Sequence, residues 1–162
     1  MKTDTHVVNV GGIEIGGSNP IVIQSMTDTD TSDIISTVSQ IEELYQAGSQ
    51  IVRVTVNNSA AAKAIEEIKT RLSDKDIFVP IVGDFHFIGH KILRNVPKCA
   101  ELLDKYRINP GNLGKGNKKD ANFKTFIDIA KDLDKPVRIG VNAGSLDQEL
   151  LDIKMDEYSG NK

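Results

Sequence analysis

Three arginines occupy equivalent positions in three short apolar segments: Arg53 in IVRVTV, Arg107 in YRINPG and Arg138 in VRIGVNAG. If each segment is a β-strand, side-chain alternation places all three arginines on the face opposite the apolar residues. A buried guanidinium needs an anionic partner, because leaving it unpaired costs several kcal/mol. The pattern predicts either internal salt bridges, with Asp84 as an available acid, or a phosphate-bearing ligand. We favour the ligand for two reasons. The arginines outnumber the acids visible at the strand ends, and one guanidinium can donate two parallel hydrogen bonds to two oxygens of a phosphate.

Further polar residues follow the same strands. Asp84 and His86, in the segment DFHF, alternate to one side of the chain. A lone histidine beside an aspartate is a base, a metal ligand or a hydrogen-bond donor to phosphate. The other two histidines do not share this register, which disfavours a histidine metal site. Two amide side chains are expected at the same rim, those of Asn109 and Asn142.

The loops after two of these strands are rich in glycine, with the sequences NPGNLG at 109–114 and NAGS at 142–145. Glycine lets backbone N–H groups approach a phosphate closely. Tight strand-to-helix turns without a ligand use the same residues. Both interpretations of these loops therefore stay open.

The elements that must position these residues repeat along the chain. Strand candidates begin at intervals of 30, 27, 28 and 31 residues, near Ile21, Ile51, Phe78, Tyr106 and Val137. A strand–helix unit of about 30 residues is typical of a (β/α)₈ barrel, and also of flavodoxin-like and Rossmann sheets. Strict alternation favours the barrel, because strands covered by helices on both faces are nearly all apolar. The sequence thus predicts an α/β fold, a partial (β/α)₈ TIM-type barrel of about five βα units preceded by a β-hairpin.

Helices are predicted between the strands from apolar periodicity and capping residues. Ser32 or Asp33 is expected to cap the first helix and Ser59 the second. Asp120 is expected to open a later helix, and Pro97 to interrupt the helical stretch between them. The apolar side of every strand is expected to meet this helix layer.

Length and composition limit the number of domains and the classes of partner that this chain can have. The 162 residues are enough for one domain or part of one, and 39% hydrophobic with 27% charged residues is ordinary globular composition. A net charge of −3 argues against a nucleic-acid partner. No apolar run approaches the ~20 residues that cross a bilayer and no signal core opens the chain, so we expect a cytoplasmic protein. The single cysteine, Cys99, is expected to be buried, and alone it cannot hold zinc or an iron–sulfur cluster.

Five motifs together resemble the 4-hydroxy-3-methylbut-2-enyl diphosphate synthase family, over about residues 8–151. In chain order they are PIVIQSMTDTDT, IVRVTV, DFHF, RINPGN and VRIGVNAGSL. The resemblance implies an enzyme of the non-mevalonate isoprenoid pathway. This enzyme reductively opens 2-C-methyl-D-erythritol 2,4-cyclodiphosphate to 4-hydroxy-3-methylbut-2-enyl diphosphate, with loss of water.

The resemblance also implies an architecture, partners and roles. A (β/α)₈ barrel binds the cyclic diphosphate, a second domain carries a [4Fe–4S] cluster, the enzyme is a homodimer, and ferredoxin or flavodoxin supplies electrons. At matching positions, Arg53, Arg107 and Arg138 grip the diphosphate. His86, Asn109 and Asn142 surround it as further substrate-binding groups, and Asp84 orients the site.

The chain departs from the family beyond its fifth βα unit. We expect a hairpin over residues 1–19, an incomplete barrel over 20–162, and no C-terminal iron–sulfur domain with its three cysteines and glutamate. The prediction is therefore a substrate-binding portion that is inactive alone, without catalytic residues or metal ligands of its own. The alternatives are a half-barrel that binds a phosphorylated ligand without catalysis, and a non-functional gene remnant. A dihydropteroate synthase-like barrel is a further alternative, but its motifs are not found.

Overall fold

Five parallel strands form a single sheet in the order in which they occur along the chain. The computed structural model describes residues 5–114, 117–146 and 148–159. The strands are β3 (Gln24–Met26), β4 (Ile51–Val56), β5 (Ile81–Phe85), β6 (Lys105–Ile108) and β7 (Val137–Ile139). The helices are α1 (Ile34–Gln46), α2 (Ser59–Ser73), α3 (Gly89–Asn95), α4 (Pro97–Leu102), α5 (Asn117–Asp132) and α6 (Gln148–Ser159). Sequential order is that of a barrel wall, whereas a doubly wound sheet reverses direction at a switch point.

A β-hairpin precedes the sheet, as the sequence predicts. Strands β1 (Val8–Val10) and β2 (Ile13–Ile15) pair antiparallel around Gly11 and Gly12. These glycines have φ of +56° and +93°, a region that glycine enters without steric cost. Val10 packs on Ile51 and Val82, which lie near the amino ends of their strands. The hairpin therefore covers the floor of the sheet's concave side, called the lumen below.

The first two helices begin at side-chain caps. Asp33 Oδ1 accepts a hydrogen bond of 3.1 Å from Ser36 N at the start of α1, as predicted. The cap of α2 is Asn58, whose Oδ1 accepts from Ala61 N at 2.9 Å. The expectation that Ser59 caps this helix is wrong by one residue. Asparagine is at least as good a cap as serine, and Asn58 has the extended backbone that a cap requires.

Two later helix predictions had different outcomes. Helix α5 begins at Asn117, so the prediction that Asp120 opens it is wrong by about one turn. An acidic side chain is also favourable inside the first helical turn, so its position does not mark the boundary. Pro97 does separate α3 from α4 and stands at the first position of α4. No helix in the described part of the chain is long and apolar enough to cross a membrane.

Two strands are shorter than their apolar runs predict. Strand β5 begins at Ile81 rather than Phe78. Pro80 has no N–H to donate to the ladder, so regular pairing of this strand starts only after it. Strand β3 begins at Gln24 rather than Ile21, which is 95% exposed. It is an edge strand, and the Ile23 carbonyl accepts from both Gln50 N and Ile51 N, which makes the start of pairing irregular.

The core lies between the outer face of the sheet and the helices. Val52, Val54 and Val56 of β4 are fully buried there, as alternation predicts. Phe85 and Tyr106 meet edge to face with ring centroids 5.7 Å apart, and Phe126 of α5 packs against both rings. Cys99 is also buried in this core, as expected.

Strand β7 departs from the expected pattern. Val137 packs against the core, but Ile139 and Val141 are 57% and 49% exposed. The prediction that the apolar side of every strand meets the helix layer is wrong for these two residues. Strand β7 is an edge of the sheet and, among the described residues, no helix covers the outer face at its carboxyl end. The other edge, β3, exposes Ile23 to 58% in the same way.

Candidate anion-binding site

Strand registers place the polar side chains of the lumen in two rows across the sheet. The upper row consists of Thr55, Asp84, Arg107 and Arg138. The lower row consists of Met26, Arg53, Val82 and Lys105. The rows are two residues apart along each strand, or roughly 6.6 Å at 3.3 Å per residue. The three predicted arginines therefore do share one face.

Asp84 and Arg107 form the most buried ion pair in the described part of the site, with residue exposures of 3% and 8%. Arg107 Nη1 lies 2.9 Å from Asp84 Oδ1. Arg107 Nε is also buried, but no described residue accepts a hydrogen bond from it. A buried donor without an acceptor costs about 1–3 kcal/mol, so an anionic oxygen at this nitrogen would be stabilising.

Gly140 provides space for the Arg107 guanidinium. A Cβ at position 140 would lie 3.2 Å from Arg107 Nε and 3.5 Å from Nη2. The backbone itself continues the ladder, since Gly140 N donates to Ile108 O at 3.0 Å. The absence of a side chain therefore keeps the face of the guanidinium open.

Arg53 is held by weaker contacts. Its Nε lies 3.7 Å from Asp84 Oδ2, and Nε and Nη2 lie 3.1 and 3.0 Å from Met26 Sδ. A thioether is a weak hydrogen-bond acceptor. Arg53 therefore has donors that a stronger acceptor would take. Met26 belongs to the QSMT segment, which shapes the site through this contact.

Within the described part of the chain, the other two cations of the rows have no acidic partner. Among the residues described, no carboxylate lies within ion-pair distance of Arg138 or Lys105. Lys105 is half-buried, and its pKa is lowered by burial and, to a lesser degree, by the charges of Arg138 and Arg53. Sequence analysis missed Lys105 because the strand was expected to start at Tyr106. The signal was present, since Lys105 lies two residues before Arg107 and shares its face.

The two rows carry an excess of positive charge. Four cationic side chains, Arg53, Lys105, Arg107 and Arg138, accompany one carboxylate, Asp84. Asp84 thus makes the internal salt bridges that were one of the two predicted arrangements. Among the described residues, three positive charges of the rows remain without a neutralising acid, and the phosphate-bearing ligand stays a prediction. Like charges held together in a partly buried lumen repel one another and attract anions.

Asn109 connects two loops at the rim and is 1% exposed. Its Oδ1 accepts from Gly111 N at 3.0 Å and its Nδ2 donates to Ser145 Oγ at 2.8 Å. Ser145 Oγ in turn accepts from Asn142 N at 3.1 Å, so Asn109 fixes the loop that carries Asn142. Sequence analysis did not single out Ser145. The Asn142 side chain is exposed at the rim, as predicted for a group that faces a ligand.

His86 lies just beyond the carboxyl end of β5, two residues after Asp84, and is half-buried. Its ring centroid is 6.5 Å from that of Phe87. The imidazole makes no hydrogen bond to another residue in the described part of the chain. In the part of the chain that the structure covers, no three metal-ligating side chains come together.

A parallel sheet in barrel order, with cationic side chains on its lumen face, defines a protein of the TIM-barrel class. A family model described as the GcpE TIM-barrel domain matches residues 5–161. The chain belongs to this family, which confirms the resemblance to 4-hydroxy-3-methylbut-2-enyl diphosphate synthases and the partial-barrel prediction. The family is one of oxidoreductases of isoprenoid biosynthesis.

The described residues do not fit the iron–sulfur cluster that the family implies. A cluster needs several thiolates, and the only cysteine is Cys99. Its thiol is 1% exposed in the core, where burial raises its pKa to about 12 and so disfavours the thiolate. No electron-transfer step is therefore assigned to these residues.

Proposed function

We propose that the lumen binds 2-C-methyl-D-erythritol 2,4-cyclodiphosphate, as the substrate-binding portion of a 4-hydroxy-3-methylbut-2-enyl diphosphate synthase. The observation that carries the proposal is the excess of three positive charges around Asp84, together with the unsatisfied Arg107 Nε. Each phosphoryl group of the cyclic diphosphate bears a negative charge and accepts several hydrogen bonds. Such a ligand offsets the repulsion between the cations and satisfies the buried donor.

The arginines would share the diphosphate according to their present partners. Arg107 keeps its bond to Asp84 through Nη1 and offers Nε to a phosphoryl oxygen. Arg138 reaches the ligand from the edge strand. Arg53 exchanges the Met26 thioether for a phosphoryl oxygen, which is a far better acceptor. Asp84 orients the site by holding two arginines at once.

The rim residues would complete the binding site. His86 and Asn142 lie at its mouth and provide hydrogen-bond donors to the ligand. Asn109 contributes mainly by positioning, because both of its amide atoms already bond to the 109–112 and 142–145 loops. The glycine-rich loops therefore act through a side-chain link as well as through backbone groups.

Reductive opening of the cyclic diphosphate needs two electrons and a redox centre. We propose that the described residues bind the substrate and do not themselves convert it, because their only thiol is a core residue. In the complete reaction, ferredoxin or flavodoxin would supply electrons to a [4Fe–4S] domain, within a homodimer. An anaerobic assay of the purified chain with dithionite tests this. We expect no 4-hydroxy-3-methylbut-2-enyl diphosphate, and its formation would contradict the proposal.

The binding function itself is tested by isothermal titration of the purified chain with the cyclic diphosphate. We expect saturable binding, and a loss of about 100-fold in affinity for Arg107→Met, since charge-assisted hydrogen bonds contribute about 1.5–3 kcal/mol each. The matched control is Lys63→Met on the exposed face of α2, which removes the same charge far from the lumen. A folded chain that shows no saturable binding would exclude the proposed function.

A further inference from the structure

Lys105 is a lumen cation that the salt bridges leave unexplained. It begins β6 and shares the lower row with Arg53, with Val82 of β5 between them. At about 4.8 Å per strand, the Cα atoms of Arg53 and Lys105 are roughly 10 Å apart. Both side chains therefore flank the same short, apolar stretch of floor.

The floor below this row is closed. Val82 packs on Val10 of the hairpin and on Ile51, so an apolar cluster surrounds the position next to Lys105 in the lower row. Above it lies the upper row, with Arg107 two residues further along the same strand. Water and anions therefore reach Lys105 Nζ from the lumen side, past the arginines.

The contrast with Lys69 shows that this arrangement is not that of a structural lysine. Lys69 Nζ lies 2.8 Å from Asp104 Oδ2 and donates to Leu102 O at 3.0 Å. Lys105 has neither kind of partner among the described residues, and it shares the lumen face with Arg53, Arg107 and Arg138, which are all positive. A partly desolvated cation in such surroundings costs free energy unless an anion binds beside it.

We propose that Lys105 Nζ binds the second phosphoryl group of a diphosphate from the floor of the lumen, while Arg107 and Arg138 bind the first. This inference rests on the proposed function and assigns a specificity role within that site. A ligand with one phosphoryl group satisfies the upper row alone. A diphosphate reaches both rows, so Lys105 is the residue that favours diphosphate over monophosphate.

The test compares inorganic pyrophosphate with orthophosphate by isothermal titration of the wild-type chain and its variants. We expect Lys105→Met to weaken pyrophosphate binding about 10- to 100-fold and orthophosphate binding by less than about threefold. Lys105→Arg should retain most of the pyrophosphate affinity, and the control Lys63→Met all of it. Equal losses for both anions would show that Lys105 acts only through its long-range field and would overturn the assignment, as would no loss at all.

Failure of the two proposals is distinguishable. If the folded wild-type chain binds neither inorganic anion nor the cyclic diphosphate, the proposed function is wrong and the role of Lys105 is wrong with it. If it binds the cyclic diphosphate but not pyrophosphate, only the Lys105 assignment is wrong. If wild type binds pyrophosphate and Lys105→Met binds it equally well, only the Lys105 assignment is wrong. A measurement on wild type guards against a variant that does not fold: pyrophosphate should slow acetylation of the Lys105 amine by acetic anhydride, as read by mass spectrometry, and orthophosphate should not. Unslowed acetylation would also overturn the assignment.

Discussion

Two ionic clusters of the parallel sheet differ in charge balance: one surrounds Asp104, just before β6, and the other is formed by the two rows of the lumen. At the amino end, Asp104 Oδ2 lies 2.8 Å from both Lys69 Nζ and Ile81 N. Lys69 also donates to Leu102 O, so one acid and one base satisfy each other. In the two rows of the lumen, Asp84 is the one carboxylate among four cations, of which Lys105 lies nearest the floor. A balanced pair fixes the chain, whereas an unbalanced cluster leaves binding energy for a ligand.

If the candidate site were chosen by cleft size, the cluster around Asp104 would be selected. A cleft of about 520 Å³ lies beside Asp104 and is lined by Lys69, Phe78 and Pro80, among others. Its central charges are already paired, so an ionic ligand entering it would have to break the Lys69–Asp104 bond. The lumen instead offers cations that pair with no described carboxylate, and this chemical difference identifies the lumen as the candidate site.

Removal of Asp84, the central acid of the unbalanced cluster, should have the largest effect on stability. Asp84→Asn should lower the free energy of unfolding by about 3–5 kcal/mol, because it leaves the buried Arg107 without a counter-ion beside other cations. Urea denaturation measures this loss. Added pyrophosphate should stabilise Asp84→Asn more than it stabilises wild type, since the anion replaces the missing negative charge. A variant as stable as wild type would show that the cation excess carries no energetic cost.

The corresponding change at the balanced cluster should have a smaller effect of a different kind. Asp104→Asn should lower the free energy of unfolding by about 1–2 kcal/mol, because its salt bridge is partly exposed and Lys69 keeps the Leu102 carbonyl. Pyrophosphate affinity, measured by titration, should equal that of wild type. If Asp104→Asn weakened anion binding as much as changes in the lumen do, the two clusters would not be functionally distinct.

A methyl group added beside Arg107 tests whether the position of its guanidinium matters for anion binding, because it changes no charge. Gly140→Ala places Cβ 3.2 Å from Arg107 Nε, which forces the guanidinium to shift by a few tenths of an ångström. We expect pyrophosphate affinity to fall about three- to tenfold, with the free energy of unfolding changed by less than about 1 kcal/mol. Gly144→Ala is the matched control, because a Cβ there meets no atom within 4 Å. Equal effects of the two substitutions would mean that the position of Arg107 is unimportant for binding.

The positions of the lumen arginines could be predicted from the sequence, because they depend only on side-chain alternation along a strand. Arg53, Arg107 and Arg138 lie on the lumen face because β-strand geometry fixes the side of every second residue. The same rule applied to Lys105, but the strand boundary was placed one residue too late. Boundaries depend on hydrogen bonding to neighbouring strands, which local sequence does not specify.

Contacts between distant segments were beyond prediction from the sequence. The bond from Asn109 to Ser145 joins loops 36 residues apart, and its existence depends on how closely those loops pack. The exposure of Ile139 has a similar cause, since burial of an apolar face depends on what packs over it. In both cases the sequence indicated that the residue lies at the carboxyl end of a strand. Which residues pack against it depends on the fold.

His90 gives the stability of the protein a pH dependence that belongs to neither ionic cluster. His90 is 7% exposed on α3, and burial, followed by the positive charges of Lys91 and Arg94, lowers its pKa from the ordinary value of 6.5. The unfolded chain therefore binds a proton at His90 before the native chain does as the pH falls. The free energy of unfolding should accordingly decrease below about pH 6.5, until the native histidine also protonates, and His90 should add no slope above that range.

This smallest of the expected effects is measured by urea denaturation between pH 8 and pH 5. His90→Gln should show a shallower loss of stability with falling pH than wild type. Asp104→Asn should retain the slope that His90 contributes, because it alters the balanced cluster and leaves α3 unchanged. A slope in His90→Gln equal to that of wild type would assign the acid sensitivity to other groups.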